Sequence, residues 1–156
     1  MTTSRLQASK QDETGDTNVS ELIARNLHAL SWRLRKQMIS WHVDVDPAIC
    51  FPMDGRQISE VLEMLIVDAL RSMPEGGSLD VTVIATFDSL EIEVADSGFE
   101  ASPLPGLRVF PSDQPLSPRQ SRTVWVDGVR VEVLPCPQGG NARTICVPRG
   151  PARAAA

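Results

Sequence analysis

Residues 58–100 constrain the fold more than any other part of the sequence. They read ISEVLEMLIVDALRSMPEGG, SLDVTVIATFDS and LEIEVADSGFE in succession. Ile58, Val61, Leu62, Leu65, Ile66, Ala69 and Leu70 recur at spacings of three and four, a wide apolar face that predicts a helix buried in the core. Asp54 stands where it can cap that helix, with Gln57 three residues on in an approximate capping box. Pro74 and the Gly76-Gly77 pair stop it. Leu79–Phe87 and Leu90–Ala95 then alternate with period two around Asp88-Ser89, which predicts a hairpin. A carboxylate is thereby set on a core helix (Asp68) and another at a strand end (Asp96). A buried unpaired carboxylate costs several kcal/mol, so Asp68 is expected to line a pocket, to take a structural hydrogen bond or to be exposed at the helix end.

The rest of the chain is read around this run. Residues 1–17 are polar and rich in Ser, Thr, Gln and Asp, which predicts a disordered tail. A helix is expected from about Asn18–Ser20, with Val19, Leu22, Ile23, Leu27, Leu30 and Leu34 on one stripe. Arg25, Arg33, Arg35 and Lys36 fall on the other, solvated surface. Residues 38–45 (MISWHVDV) alternate as a half-buried strand, ended by Pro47, and 49–51 add a short extended piece. His28 and His42 read as structural or solvent-facing, and Trp32 and Trp41 as core or edge packing.

Residues 98–118 hold Pro103, Pro105, Pro111, Pro115 and Pro118 without periodicity, a long loop. Residues 117–128 carry two conflicting signals. Ser117-Pro118-Arg119-Gln120 is a good helix start. Thr123–Val126 followed by Asp127-Gly128 is a strand and a hairpin turn. Val129–Leu134 and Ala142–Val147 read as two further strands, and the tail from 149 to 156 as disordered.

With 156 residues, the length suits one domain, placed at 18–148. A formal charge of −5 argues against a nucleic-acid partner. Cys50, Cys136 and Cys146 form no Cys-x-x-Cys spacing and read as reduced core thiols. No segment is apolar enough to span a membrane, and the first 20 residues lack a signal-peptide core. Together these predict a cytoplasmic protein with no membrane association.

Three segments together resemble the ATP-binding domain of sensor histidine kinases, within the Bergerat-fold ATPases. EVLEMLIVDALRSMPEGGSLDV is similar to the family's VLxNLLxNAxxAMPxGGxLxV helix and strand. IEVADSG is similar to its strand ending in Asp-x-Gly-x-Gly, and QGGNARTICVP to its closing Gly-Gly-Thr-x-Phe-x-Ile-x-Leu-Pro strand. The resemblance spans about Asn18 to Pro148. It implies an α+β fold, a two-layer α/β sandwich with a mixed, mainly antiparallel sheet and helices on one face, and with a shortened lid. It also implies a short helix over 117–127, and that reading is adopted here against local propensity.

What the resemblance implies for the site is uneven. Asp96 corresponds to the acid that accepts from the adenine amino group, and Gly98 to the first motif glycine. Asp68 takes the place of the Asn that holds Mg²⁺, and as a hard oxygen ligand would be the metal residue. Arg71 falls where a phosphate-side residue is common, and Asn141 replaces the Thr beside the adenine. On the other side, Met64 replaces a polar helix residue and Glu100 the second motif glycine. The glycine-rich lid that would cradle phosphates is reduced to Gly106-Leu107-Arg108. No phosphoacceptor helix fits. The reading is of a degenerate ATP-binding domain, a signalling or regulatory module that binds ATP or ADP with Mg²⁺ weakly or not at all and works through a protein partner. An ATP-binding domain acting in trans, and a scaffold whose pocket its own side chains fill, are the alternatives.

Overall fold

In a computed structural model, residues 15–98, 121–136 and 139–150 are described. The element order is β1 (Asp16–Asn18), α1 (Val19–Ala29), α2 (Ser31–Lys36), β2 (Ile39–Asp44), β3 (Cys50–Pro52), α3 (Gly55–Arg71), β4 (Gly77–Ala85), β5 (Ser89–Asp96), β6 (Arg122–Val126), β7 (Val129–Pro135) and β8 (Asn141–Pro148). Six strands form one sheet in the order β2-β4-β5-β8-β7-β6, with β2 and β4 parallel and the other neighbours antiparallel. This is the expected mixed, mainly antiparallel sheet of a two-layer α+β sandwich.

The layers follow from period-two alternation. Leu79 and Val81 of β4, Leu90, Ile92 and Val94 of β5, Val129 and Val131 of β7, and Ile145 of β8 are buried against the helices. The intervening residues, among them Asp80, Glu91 and Arg130, face solvent. Helix α3 lays Ile58, Val61, Leu62, Leu65, Ile66, Ala69 and Leu70 on this face, as its periodicity predicts. Its Asp54 cap accepts from the Arg56 and Gln57 amides, both at 3.1 Å. Gln57 does not close the capping box. Its Nε2 donates instead to the Asp127 carbonyl at 2.7 Å, tying the start of α3 to the β6–β7 turn. Asn26 of α1 donates to Ser59 Oγ of α3 at 2.9 Å and holds the two helices together.

Several expectations need correction. The helix adopted over 117–127 is a strand where it is described: Arg122–Val126 pairs with β7 through the Asp127-Gly128 turn. β-Branched residues and a turn sequence with positive φ at both positions suit a hairpin, and a waiting sheet edge completes it. Residues 117–120 and most of the Pro-rich loop lie outside the described residues, as do Glu100 and Gly106-Leu107-Arg108. Asp16 and Thr17, expected in a disordered tail, pair with Pro52 and Phe51 in a small second sheet. The first helix divides at Leu30 into α1 and α2. The three cysteines are unpaired but are not core residues: Cys50 is exposed, and Cys136 and Cys146 are half-buried. Trp32 is exposed, not packed, while Trp41 lies on the edge strand β2. Among the described residues no helix is long and apolar enough to cross a membrane.

Candidate functional site

Two carboxylates and one guanidinium meet between α3 and the sheet. Asp68 belongs to the core stripe of α3, three residues after Leu65 and seven after Val61, so the helix that buries those residues buries it too. Asp96 ends β5 on the inward face, two residues beyond Val94. Arg143 lies on the neighbouring strand β8, in register with Val94 and on the same face as Ile145. All three are almost fully withdrawn from water: Asp68 and Arg143 are 1% exposed and Asp96 is 5% exposed.

Arg143 binds both acids. Its Nε and Nη2 donate to Asp68 Oδ2 at 2.9 and 2.8 Å. Its Nη1 donates to Asp96 Oδ2. The other oxygen of Asp96 accepts from the Gly98 amide at 2.8 Å and lies 3.0 Å from the Ser72 hydroxyl. That hydroxyl is also 2.7 Å from the Ala69 carbonyl, and its single proton serves one acceptor at a time. Because both Arg143 bonds to Asp68 go to one oxygen, Asp68 Oδ1 is buried without a partner.

The triad carries one positive and two negative charges. Burial pushes the Asp68 carboxyl above its usual range, and Asp96 adds to the rise. The Arg143 charge and its hydrogen bond pull the other way, as does the Arg71 charge. Burial raises the Cys136 and Cys146 thiols too, aided by neighbouring carboxylates, so neither is an activated nucleophile.

The residues singled out from the sequence divide clearly. Asp68, Asp96 and Gly98 lie together around the Arg143 guanidinium and the end of α3. Asn141 is buried two residues before Arg143 on the same strand. Arg71 is exposed at the end of α3, and Met64 is half-buried against the core. A Cβ on Gly98 would stand 2.8 Å from Ser72 Cβ, so the glycine is required for packing against the end of α3 whether or not a base approaches it. Gly140, at φ +84°, presses on the Asp96 carbonyl in the same way.

Arg143 is the residue that sequence reasoning missed. It falls at the Phe of the closing-strand pattern Gly-Gly-Thr-x-Phe, an inward position between Asn141 and Ile145. A cation at an inward strand position, in a chain with two core acids lacking partners, was the signal available.

Asp96 Oδ2 is engaged by Nη1, Asp68 Oδ2 by Nε and Nη2, and the space between the acids holds the guanidinium. Among the described residues no three His, Cys, Asp or Glu side chains are grouped to hold a metal.

Neither a protein-family model nor a curated protein matches the chain by sequence. Solved structures do match by shape. The nucleotide-free catalytic domain of histidine kinase ThkA superposes with a TM-score of 0.67 at 17% identity, covering 88% of this chain and 97% of that one. ThkA in complex with response regulator protein TrrA gives 0.63 at 17% identity, over 89% of this chain and 42% of that one. The mycobacterial sensor histidine kinase MprB gives 0.59 at 20% identity, over 88% and 98%. The chain therefore has the fold of histidine kinase catalytic domains, with an arginine built into the place where the resemblance puts the nucleotide.

Proposed function

We propose that this protein is a degenerate ATP-binding module of the histidine kinase type, closed by its own Arg143, which acts in signalling through protein contacts. The observation that carries this reading is the Arg143 guanidinium bonded to both Asp68 and Asp96 in a buried site. For an adenine amino group to reach Asp96, the guanidinium must leave and Asp68 must lose its partner. Breaking a buried ion pair costs about 3–5 kcal/mol. A pocket that would otherwise bind at about 1 μM is then left at roughly 0.1–4 mM, since each 1.4 kcal/mol is tenfold. The complex of ThkA with TrrA supports a protein partner as the working contact of this fold.

Isothermal titration with ATP and with ADP, each with and without Mg²⁺, tests the reading. The wild-type chain does not approach saturation below about 0.1 mM nucleotide. The double variant Arg143→Met with Asp68→Asn, which empties the space and restores the family's amide, gains affinity. Micromolar ATP binding by the wild-type chain, abolished by Asp96→Ala, would overturn it in favour of an ATP-binding domain that works in trans.

A further inference from the structure

A concavity lies between α1–α2 and β2, the edge strand of the sheet. It is an open groove of about 550 Å³. Ile23 and Leu27 of α1 form one wall, and Trp41 and Val43, alternate residues of β2, form the other. Two of its properties point to an occupant. The first is backbone. β2 ends the sheet: it pairs with β4 on one side and with no described strand on the other. Its outer N–H and C=O groups are a template for an added strand. The second is charge. None of the eleven lining residues is acidic, and His28 and Arg35 are the ionisable ones. The basic residues are concentrated on the helical side: residues 22–43 contain Arg25, Arg33, Arg35 and Lys36 and no Asp or Glu, while Glu21, Asp44 and Asp46 border that stretch in the sequence.

We infer that this groove receives an extended segment of a partner protein that adds to the free edge of β2, sets apolar side chains against Trp41 and Val43, and places acidic residues beside Arg35. The free ladder gives the segment its direction, and the apolar walls favour alternate residues. The positive end selects an acidic flank and speeds encounter. An anionic membrane would use the same charge, but a concave site with an unpaired strand suits a peptide backbone. The inference does not depend on the nucleotide pocket, and its failure would leave the reading of Arg143 intact.

The probe is the peptide acetyl-Glu-Glu-Val-Thr-Val-Thr-Val-amide, titrated into the ¹⁵N-labelled full chain, with a counterpart carrying Lys-Lys in place of Glu-Glu. The acidic peptide shifts the amides of residues 39–45 and the Trp41 indole in a saturable, salt-sensitive way. The Lys peptide binds at least about tenfold more weakly, and Arg35→Glu weakens the acidic peptide by about the same factor, since it turns an attraction into a repulsion. Arg35 is exposed, so this variant keeps the fold, checked by its unchanged amide pattern elsewhere. Three results would each overturn the inference: no shifts at 39–45 at about 1 mM acidic peptide; equal binding of both peptides; or binding of the chain, through this face, to phosphatidylcholine–phosphatidylserine vesicles but not to the peptide.

Discussion

Replacing Arg143 with Met separates charge from packing in the buried triad. Met keeps most of the apolar stem and removes the guanidinium, so the variant leaves Asp68 and Asp96 buried side by side with no cation between them. Asp96 retains the Gly98 amide and the Ser72 hydroxyl; Asp68 retains none of its hydrogen bonds. Removing one partner of a buried pair costs about 3–5 kcal/mol, a large share of a stability of about 5–15 kcal/mol. At about 2–4 °C per kcal/mol for a chain of this size, the melting temperature at pH 7 falls by roughly 6–20 °C. The pH dependence is diagnostic. With the cation gone, burial still raises the Asp68 carboxyl and the lowering influence of Arg143 is lost, so its contribution is fullest below the unfolded value of 3.8 and is lost as pH rises. Relative to wild type, the variant therefore recovers stability as pH falls from 7 towards 5. Urea denaturation followed by circular dichroism across that range measures both effects. A loss under about 1 kcal/mol at pH 7, with no pH-dependent recovery, would refute the claim that the guanidinium neutralises the two acids.

Two other outcomes follow from the same site. Asp68→Asn removes the charge that burial disfavours while leaving Arg143 paired with Asp96. Because the Asp68 carboxyl is raised in the folded chain, its contribution to stability is full below about 3.8 and is lost as pH rises through the folded value. The variant is accordingly within about 1 kcal/mol of wild type at pH 7 and less sensitive to pH above 4, as urea midpoints at several pH values would show. Gly140→Ala places a methyl on the Asp96 carbonyl at φ +84°, and costs about 2–4 kcal/mol, read as a lowered urea midpoint with an unchanged slope.

The local elements were legible in the sequence because their causes are local. The apolar stripe of α3, its Asp54 cap, the Gly76-Gly77 stop and the β4–β5 hairpin all depend on residues within a few positions of one another. The β6–β7 hairpin shows the strength of that information. There, β-branched propensity and an Asp-Gly turn outweighed the helix implied by resemblance, because β7, paired with β8 on one side, presents its other edge for a strand to join.

Placing Asp68 and Asp96 in one site was also within reach, because the order of elements sets a helix face over a strand end. What only the tertiary structure decided is what lies between them. Arg143 is 75 residues from Asp68 and 47 from Asp96, and no periodicity links positions so far apart. Its partner was fixed by β8 pairing with β5 in a register that sets Arg143 opposite Val94, one inward step from Asp96. The sequence by itself determined that two acids would enter the core; the pairing of distant strands determined that a guanidinium would meet them there, since a buried charge takes the counter-charge that the fold brings within reach.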